Sequence, residues 1–234
     1  MTFHITMKHT KKQIEPVEVD GFRIYPALCG SCPLGYLPWV NQICRIQPWL
    51  VEVDLCFITS PKIVNAIVGD KMLFKAAMEI ITDRHNNKNF WDIKNPNFLE
   101  NLRTINLEAI RIYSLIHAKF IVTNKGLKLM KKKINSGIYG KCPRFLCKGN
   151  NLIPFGKSSE PEQNQVELYC TSCNDGYRCE DKKGSKLDGS FFGPKFPKAY
   201  IRKYRTQKQN SCENIKPTIY GFRLYIKKDE YFVH

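Results

Sequence analysis

The chain has 234 residues, enough for one good core or two smaller units, and 43% of them are hydrophobic, which excludes a disordered polymer. Lys and Arg outnumber Asp and Glu by 37 to 21, a net charge of +16 that implies an anionic partner or a solvated basic face. No apolar run reaches the length of a bilayer span, and the start, Met1-Thr-Phe-His-Ile-Thr-Met-Lys8, lacks a secretory pattern. The ten cysteines then read as reduced thiols of a protein of the cytoplasm and nucleus, because a chain this long does not need disulfide staples.

Residues 1–35 are mixed in charge and carry turn residues at Pro26, Gly30, Pro33 and Gly35, so they read as an extension outside the core. Within them, Cys29-Gly-Ser-Cys32 could form half of a metal site with Cys44 and Cys56. From Trp39 to about Ser136 the pattern is helical. Apolar residues recur at Val64, Ile67, Val68, Phe74, Met78 and Ile81, and residues 83–97, rich in Asn and charge, read as a loop.

A second helix carries a stripe at Leu99, Leu102, Ile105, Ala109, Tyr113, Ile116 and Phe120, whose steps of three and four share one face. Gly126 can end it, Thr123 or Asn124 can cap the next helix, and that short basic helix runs to about Asn135, closed by Gly137. His117 has no cysteine or acid at ligand spacing and reads as a packed histidine. Lys119 to Lys148 holds nine basic residues and no acid, a field suited to nucleic acid or to an acidic face.

Next comes Cys142-Pro-Arg-Phe-Leu-Cys147, a gap of 22 residues, and Cys170-Thr-Ser-Cys173. Two close thiol pairs around a hairpin-length loop form the frame of a zinc ribbon, with Asn151–Gly156 and Gln165–Cys170 as its strands. Four thiolates fill a tetrahedron and leave no corner for substrate, so one structural Zn²⁺ per chain is expected. Past Gly184 the chain reads as irregular, aromatic and then basic, and Pro217–Ile226 as a β-prone segment suited to lie against a partner.

The run Leu115-Ile-His-Ala-Lys-Phe-Ile-Val-Thr-Asn-Lys-Gly126 resembles the helical signature of the casein kinase II regulatory (beta) subunit family. The resemblance continues, in the family's order, through Gly140–Cys147, Leu152–Gly156, Leu168–Cys173, Asp188–Pro197 and Tyr220-Gly-Phe222, and covers roughly residues 36–230. After the extension (1–35) it implies an α+β chain: an all-helical domain (36–136), a Cys₄ zinc ribbon that dimerises (137–200) and an extended kinase-binding tail (201–234). Carried onto this sequence, Cys142, Cys147, Cys170 and Cys173 bind zinc, while Pro143, Phe145 and Tyr177 pack ribbon against ribbon. Tyr220, Gly221 and Phe222 meet the catalytic (alpha) subunit in a two-plus-two tetramer that also engages protein substrates.

The chain carries no Gly-x-Gly-x-x-Gly loop, His-Arg-Asp or Asp-Phe-Gly, so it is expected to be a non-enzyme. It departs from the family where residues 83–95 balance acids with bases instead of forming an acidic loop, and where Gly176 replaces a bulkier apolar residue at the ribbon interface. It also lacks an amino-terminal serine cluster. Gly21-Phe-Arg-Ile-Tyr25 echoes Gly221-Phe-Arg-Leu-Tyr225, which suggests an extension that competes for, or lies beside, the groove taken by the tail. The rival reading is a basic zinc ribbon that binds nucleic acid, with aromatics among the bases of Phe191–Tyr204 available for stacking.

Overall fold

The computed structural model describes residues 16–24, 36–67, 71–84, 96–147, 149–181, 184–204 and 218–223. The first of these form a hairpin, β1 (Val17–Val19) and β2 (Phe22–Ile24), antiparallel with Val19 opposite Phe22. Asp20 and Gly21 both take positive φ, 49° and 84°, as a two-residue turn of the primed type requires. Val19, Phe22 and Ile24 are buried, so this stretch belongs to the core and corrects the reading of residues 1–35 as lying outside it. Strands of three residues are too short for alternation to reveal burial. The partner that buries Phe22, stacked on it at 5.3 Å, is Trp39, beyond a stretch rich in turn residues.

Trp39 opens α1 (Trp39–Ile46), and a buried turn through Trp49 and Leu50 leads on to the buried Val51 and Val53. Two single-turn helices come next, α2 (Leu55–Ile58) and α3 (Pro61–Val64), and then α4 (Lys71–Ile81). Of the apolar series, Val64 ends α3, Ile67 follows it outside any helix, Phe74, Met78 and Ile81 lie on α4, and Val68 lies outside the described residues. Most of the loop expected over 83–97 lies outside the described residues.

The helix α5 (Phe98–Ile121) buries Leu102, Ile105, Ala109, Tyr113, Ile116 and Phe120 as the spacing predicts, whereas Leu99, in its first turn, is exposed. Asn106, Ile112, Ser114, His117 and Ile121 are buried too, because α5 is covered on several sides by α4, the first hairpin and the turn at Gly189–Phe191. Thr123 caps α6 (Asn124–Asn135), its hydroxyl accepting the Gly126 N–H at 3.1 Å. Gly126 does not end α5. It sits in the first turn of α6, where a Cβ would lie 2.2 Å from the Phe120 carbonyl oxygen. Gly137, at φ 76°, closes α6 as expected.

The next strands are β3 (Ile153–Phe155), β4 (Glu167–Cys170) and β5 (Asp175–Arg178), an antiparallel sheet in that order. Past Gly184 the chain is not irregular throughout, since α7 (Lys195–Tyr204) forms there. Pro197 is tolerated because it lies in the first turn, where its missing N–H has no helical acceptor to serve. Phe192, Phe196, Tyr200 and Tyr204, four apart, pack in file with ring centroids 6.5, 5.9 and 5.0 Å apart. A last hairpin pairs β6 (Thr218–Ile219) with β7 (Phe222–Arg223). Among the described residues the fold mixes helices with three small sheets, and one contiguous core runs from Val19 to Phe196. Among the described residues no helix is long and apolar enough to cross a membrane.

Candidate metal centre and exposed hairpin

Backbone bonds set both cysteine knuckles. The Cys142 N–H donates to Asn150 O at 2.8 Å, the Cys147 N–H to Arg144 O at 2.9 Å and the Asn174 N–H to Cys170 O at 2.9 Å. These turns bring the sulfurs of Cys142, Cys147, Cys170 and Cys173 within 4.8 Å of one another. The closest pairs are Cys147–Cys170 at 3.4 Å and Cys142–Cys173 at 3.7 Å. An ion with metal–sulfur bonds of about 2.3 Å holds its four sulfurs about 3.8 Å apart, so this cage can hold one metal ion. Three of the cysteines are buried and Cys173 is half-buried.

Two neighbours absent from the cysteine spacing complete the cage. The Asn150 amide donates to the Cys147 sulfur at 3.4 Å and to its carbonyl at 2.9 Å, and the Cys142 thiol donates to the Tyr177 hydroxyl at 3.4 Å, which becomes the donor once Cys142 is a thiolate. Such donors orient thiolate ligands and spread their charge. At Cys147 burial pushes the thiol up, but the bonds from Asn150 and the other three cysteines outweigh it and bring its pKa to about 6. Burial leads the opposite shift at Cys170, to about 11. Burial pushes the Cys173 thiol up further still, so metal binding releases protons from this cage at Cys170 and Cys173.

Asn150 was not predictable, because an asparagine after a cysteine pair has no distinctive spacing. Tyr177, expected between ribbons, lies half-buried against the cage, with its hydroxyl on Cys142. Pro143 is exposed, and Phe145 is 95% exposed. Gly176 is exposed on β5, and a Cβ there would lie 3.7 Å from the Phe155 ring and 4.0 Å from the Leu168 carbonyl oxygen.

Cys29 and Cys32 lie outside the described residues. Cys44 and Cys56 join no metal-ligating cluster among the described ones. Cys44 instead faces the Tyr113 hydroxyl at 3.8 Å, and burial raises its pKa to about 11, so it stays a thiol. His117 is the packed histidine the sequence suggests. Its Nε2 accepts the Val51 N–H at 3.1 Å, which leaves Nδ1 to donate to the Phe191 carbonyl at 2.7 Å.

Tyr220 and Gly221 form the turn between β6 and β7, at φ 50° and 81°. A left-handed backbone costs a tyrosine on the order of 1 kcal/mol, a strain that attends functional positions. Tyr220 and Phe222 both project into solvent.

The profile of the casein kinase II regulatory subunit family matches residues 38–223, from the start of the helices through both cysteine knuckles to this hairpin. The chain belongs to that family. It is 32% identical over 190 residues to the casein kinase II subunit beta' of Drosophila melanogaster, covering 80% of this chain and 84% of the fly protein. Casein kinase II subunit beta-2 of Schizosaccharomyces pombe is 28% identical over 228 residues, 94% of this chain and 86% of that one. The putative casein kinase II subunit beta-4 of Arabidopsis thaliana is 28% identical over 194 residues, 81% of this chain and 66% of the plant protein. Casein kinase II regulatory subunits are non-catalytic, which agrees with the absence of kinase motifs here. The match begins after β1 and β2, so the first hairpin precedes it.

Proposed function

We propose that this chain is the non-catalytic regulatory subunit of a casein kinase II holoenzyme, acting in the cytoplasm and nucleus. One structural zinc held by Cys142, Cys147, Cys170 and Cys173 orders the region 137–200, and two copies pair through it by Pro143, Phe145 and Tyr177. The dimer then offers two tails, 201–234, to two catalytic subunits and stabilises them by mass action. The helical region 36–136 packs against the ribbon, and the assembled holoenzyme engages protein substrates. The observation that carries this reading is the last hairpin, which ends the family match and leaves Tyr220 and Phe222 exposed on a strained turn. Aromatic side chains entering an apolar groove concentrate binding energy in a few contacts.

Light scattering after gel filtration, on this chain mixed with a casein kinase II catalytic subunit, tests the proposal. A two-plus-two complex is expected from the wild type. The Tyr220→Ala/Phe222→Ala variant should remain a zinc-loaded dimer and lose at least tenfold in kinase affinity. A folded, zinc-loaded chain that gives no complex overturns it.

A second reading, nucleic-acid binding, draws on one specific arrangement. Lys203 donates to Asn124, and the Lys131 ammonium lies 4.4 Å from the Tyr204 ring centroid, which sets the basic helices α6 and α7 side by side. Steep loss of DNA or RNA affinity with salt, together with no kinase binding, would favour it.

A further inference from the structure

The two hairpins of this chain are near copies. Val19-Asp-Gly-Phe-Arg-Ile-Tyr25 matches Ile219-Tyr-Gly-Phe-Arg-Leu-Tyr225, and both turn with the same backbone, φ 49° and 84° in one and 50° and 81° in the other. Their register agrees as well, Val19 opposite Phe22 and Ile219 opposite Phe222. Their surroundings do not. Val19, Phe22 and Ile24 are at most 4% exposed, whereas Ile219, Tyr220 and Phe222 are 53%, 97% and 78% exposed.

The first hairpin is held by a seat that reads backbone and pattern more than particular side chains. Phe22 lies flat on Trp39, with 16° between the rings, and Trp39 is fixed by its indole N–H to Asn106 at 2.9 Å. Gln42 clasps the main chain of Arg23, accepting its N–H at 2.7 Å and donating to its carbonyl at 2.9 Å. Gly21 passes over the end of Ile46, and Asp20 reaches Arg103 at 3.5 Å through an exposed pair worth little. Each of these features has its counterpart in the last hairpin: Phe222 for Phe22, Arg223 main chain for Arg23, Gly221 for Gly21. At the turn, Tyr220 could lay its ring against the Arg103 guanidinium where Asp20 now pairs with it.

We propose that the seat formed by α1 and the start of α5 is a hairpin receptor with a second ligand, this same chain's β6–β7, and that β1–β2 guards it. The chain is long enough for this. Lys203, near the end of α7, donates to Asn124 at the start of α6, and Arg103 lies 18 residues, about 27 Å, back along α5 from Ile121, where that helix ends. Residues 205–217, 13 in number, span up to about 44 Å. With the guard in place the tail hairpin is kept outward; with the guard displaced the tail folds back on its own chain. The consequence for kinase binding rests on the function proposed above, since a docked tail cannot offer Tyr220 and Phe222.

Photo-crosslinking of the full chain, with Tyr220 replaced by benzoylphenylalanine and no kinase present, tests the receptor independently of that function. In a Phe22→Ala/Ile24→Ala background, crosslinks within one chain to residues 39–46 or 98–106 should rise at least tenfold over the wild-type background. A peptide of residues 16–25 in excess should suppress them. Crosslinks between copies, or none to these segments, overturn the proposal. A second variant covers the case in which an emptied seat unfolds. Glu18→Thr/Val19→Ile/Asp20→Tyr writes the tail's residues into the first hairpin, and it should keep its melting temperature within about 2 °C and the Trp39 indole resonance unshifted. Release of that hairpin would show that the seat rejects the tail's sequence, and the proposal would fall.

Discussion

His117 and Asp83 respond to acid in opposite senses, and each does so because it is buried. Burial lowers the His117 pKa to about 4, with the Phe191 carbonyl opposing. The folded value lies below the unfolded one of about 6.5, so the stability that neutral His117 contributes is complete above pH 6.5 and is lost as pH falls towards 4. Burial raises Asp83 from 3.8 to about 6, opposed by bonds that include the Trp39 N–H. Here the folded value is the higher one, so a penalty is absent below pH 3.8 and grows as pH rises to 6. Acidification thus costs stability at His117 and relieves it at Asp83. Asp83→Asn should remove the relief: between pH 6.5 and 4.5 the variant should lose about 2 kcal/mol more than wild type. Urea titrations of both proteins at the two pH values check this, and metal loss, common to both, cancels in the difference. Parallel losses would show that Asp83 titrates as an ordinary carboxylate.

Between elements, the closest approach is made by backbone. Where β3 ends, a Cβ on Gly156 would lie 2.0 Å from the Gly189 carbonyl oxygen, and one on Gly189 would lie 2.9 Å from the Gly156 Cα. No side chain is there to move aside, so Gly156→Ala must part β3 from the turn at Gly189–Phe191, at a cost of roughly 3 kcal/mol. Gly176→Ala, meeting the Phe155 ring and the Leu168 carbonyl oxygen at ordinary contact distance, should stay within about 0.5 kcal/mol of wild type. Urea unfolding of the two variants should separate them clearly, and equal losses would overturn the assignment. The same contrast explains what the sequence could show. The stripe of α5 and the cysteine pairs are legible because their signal is a spacing. Asp175-Gly-Tyr-Arg178 has no alternation, since β5 is an edge strand and its Asp175, Gly176 and Arg178 are exposed. Pro194 and Pro197 hid α7, although the fourfold spacing of Phe192, Phe196, Tyr200 and Tyr204 was present to find it. Burial of β1–β2 and the bonds of Asn150 and Tyr177 to the cage depend on contacts across the fold, which no local pattern encodes.

Across the whole molecule, the helices and the cysteine cage are joined by one chain of packed rings. Tyr139, just before the first knuckle, donates to the Trp49 carbonyl at 2.8 Å and meets its ring edge-on at 5.1 Å. Trp49 closes over Gly184 and Cys179, Tyr139 meets Phe192, and Phe192 meets His117 in the middle of α5. Leu152, Ile153, Leu168 and Cys170 belong to the same buried cluster as Ile116 and Phe120. A domain of this size is stable by only about 5–15 kcal/mol, and a structural zinc contributes on the order of 10–16 kcal/mol to the fold it closes. Loss of the metal should therefore reach the helices rather than stop at the ribbon. With a strong chelator, helical circular dichroism and tryptophan fluorescence should fall together, in one transition at markedly lower temperature than in the zinc-loaded protein. If α4 and α5 instead kept their helicity while the ribbon melted separately, the ring contacts would not couple the two parts, and the helical region would stand as a folding unit of its own.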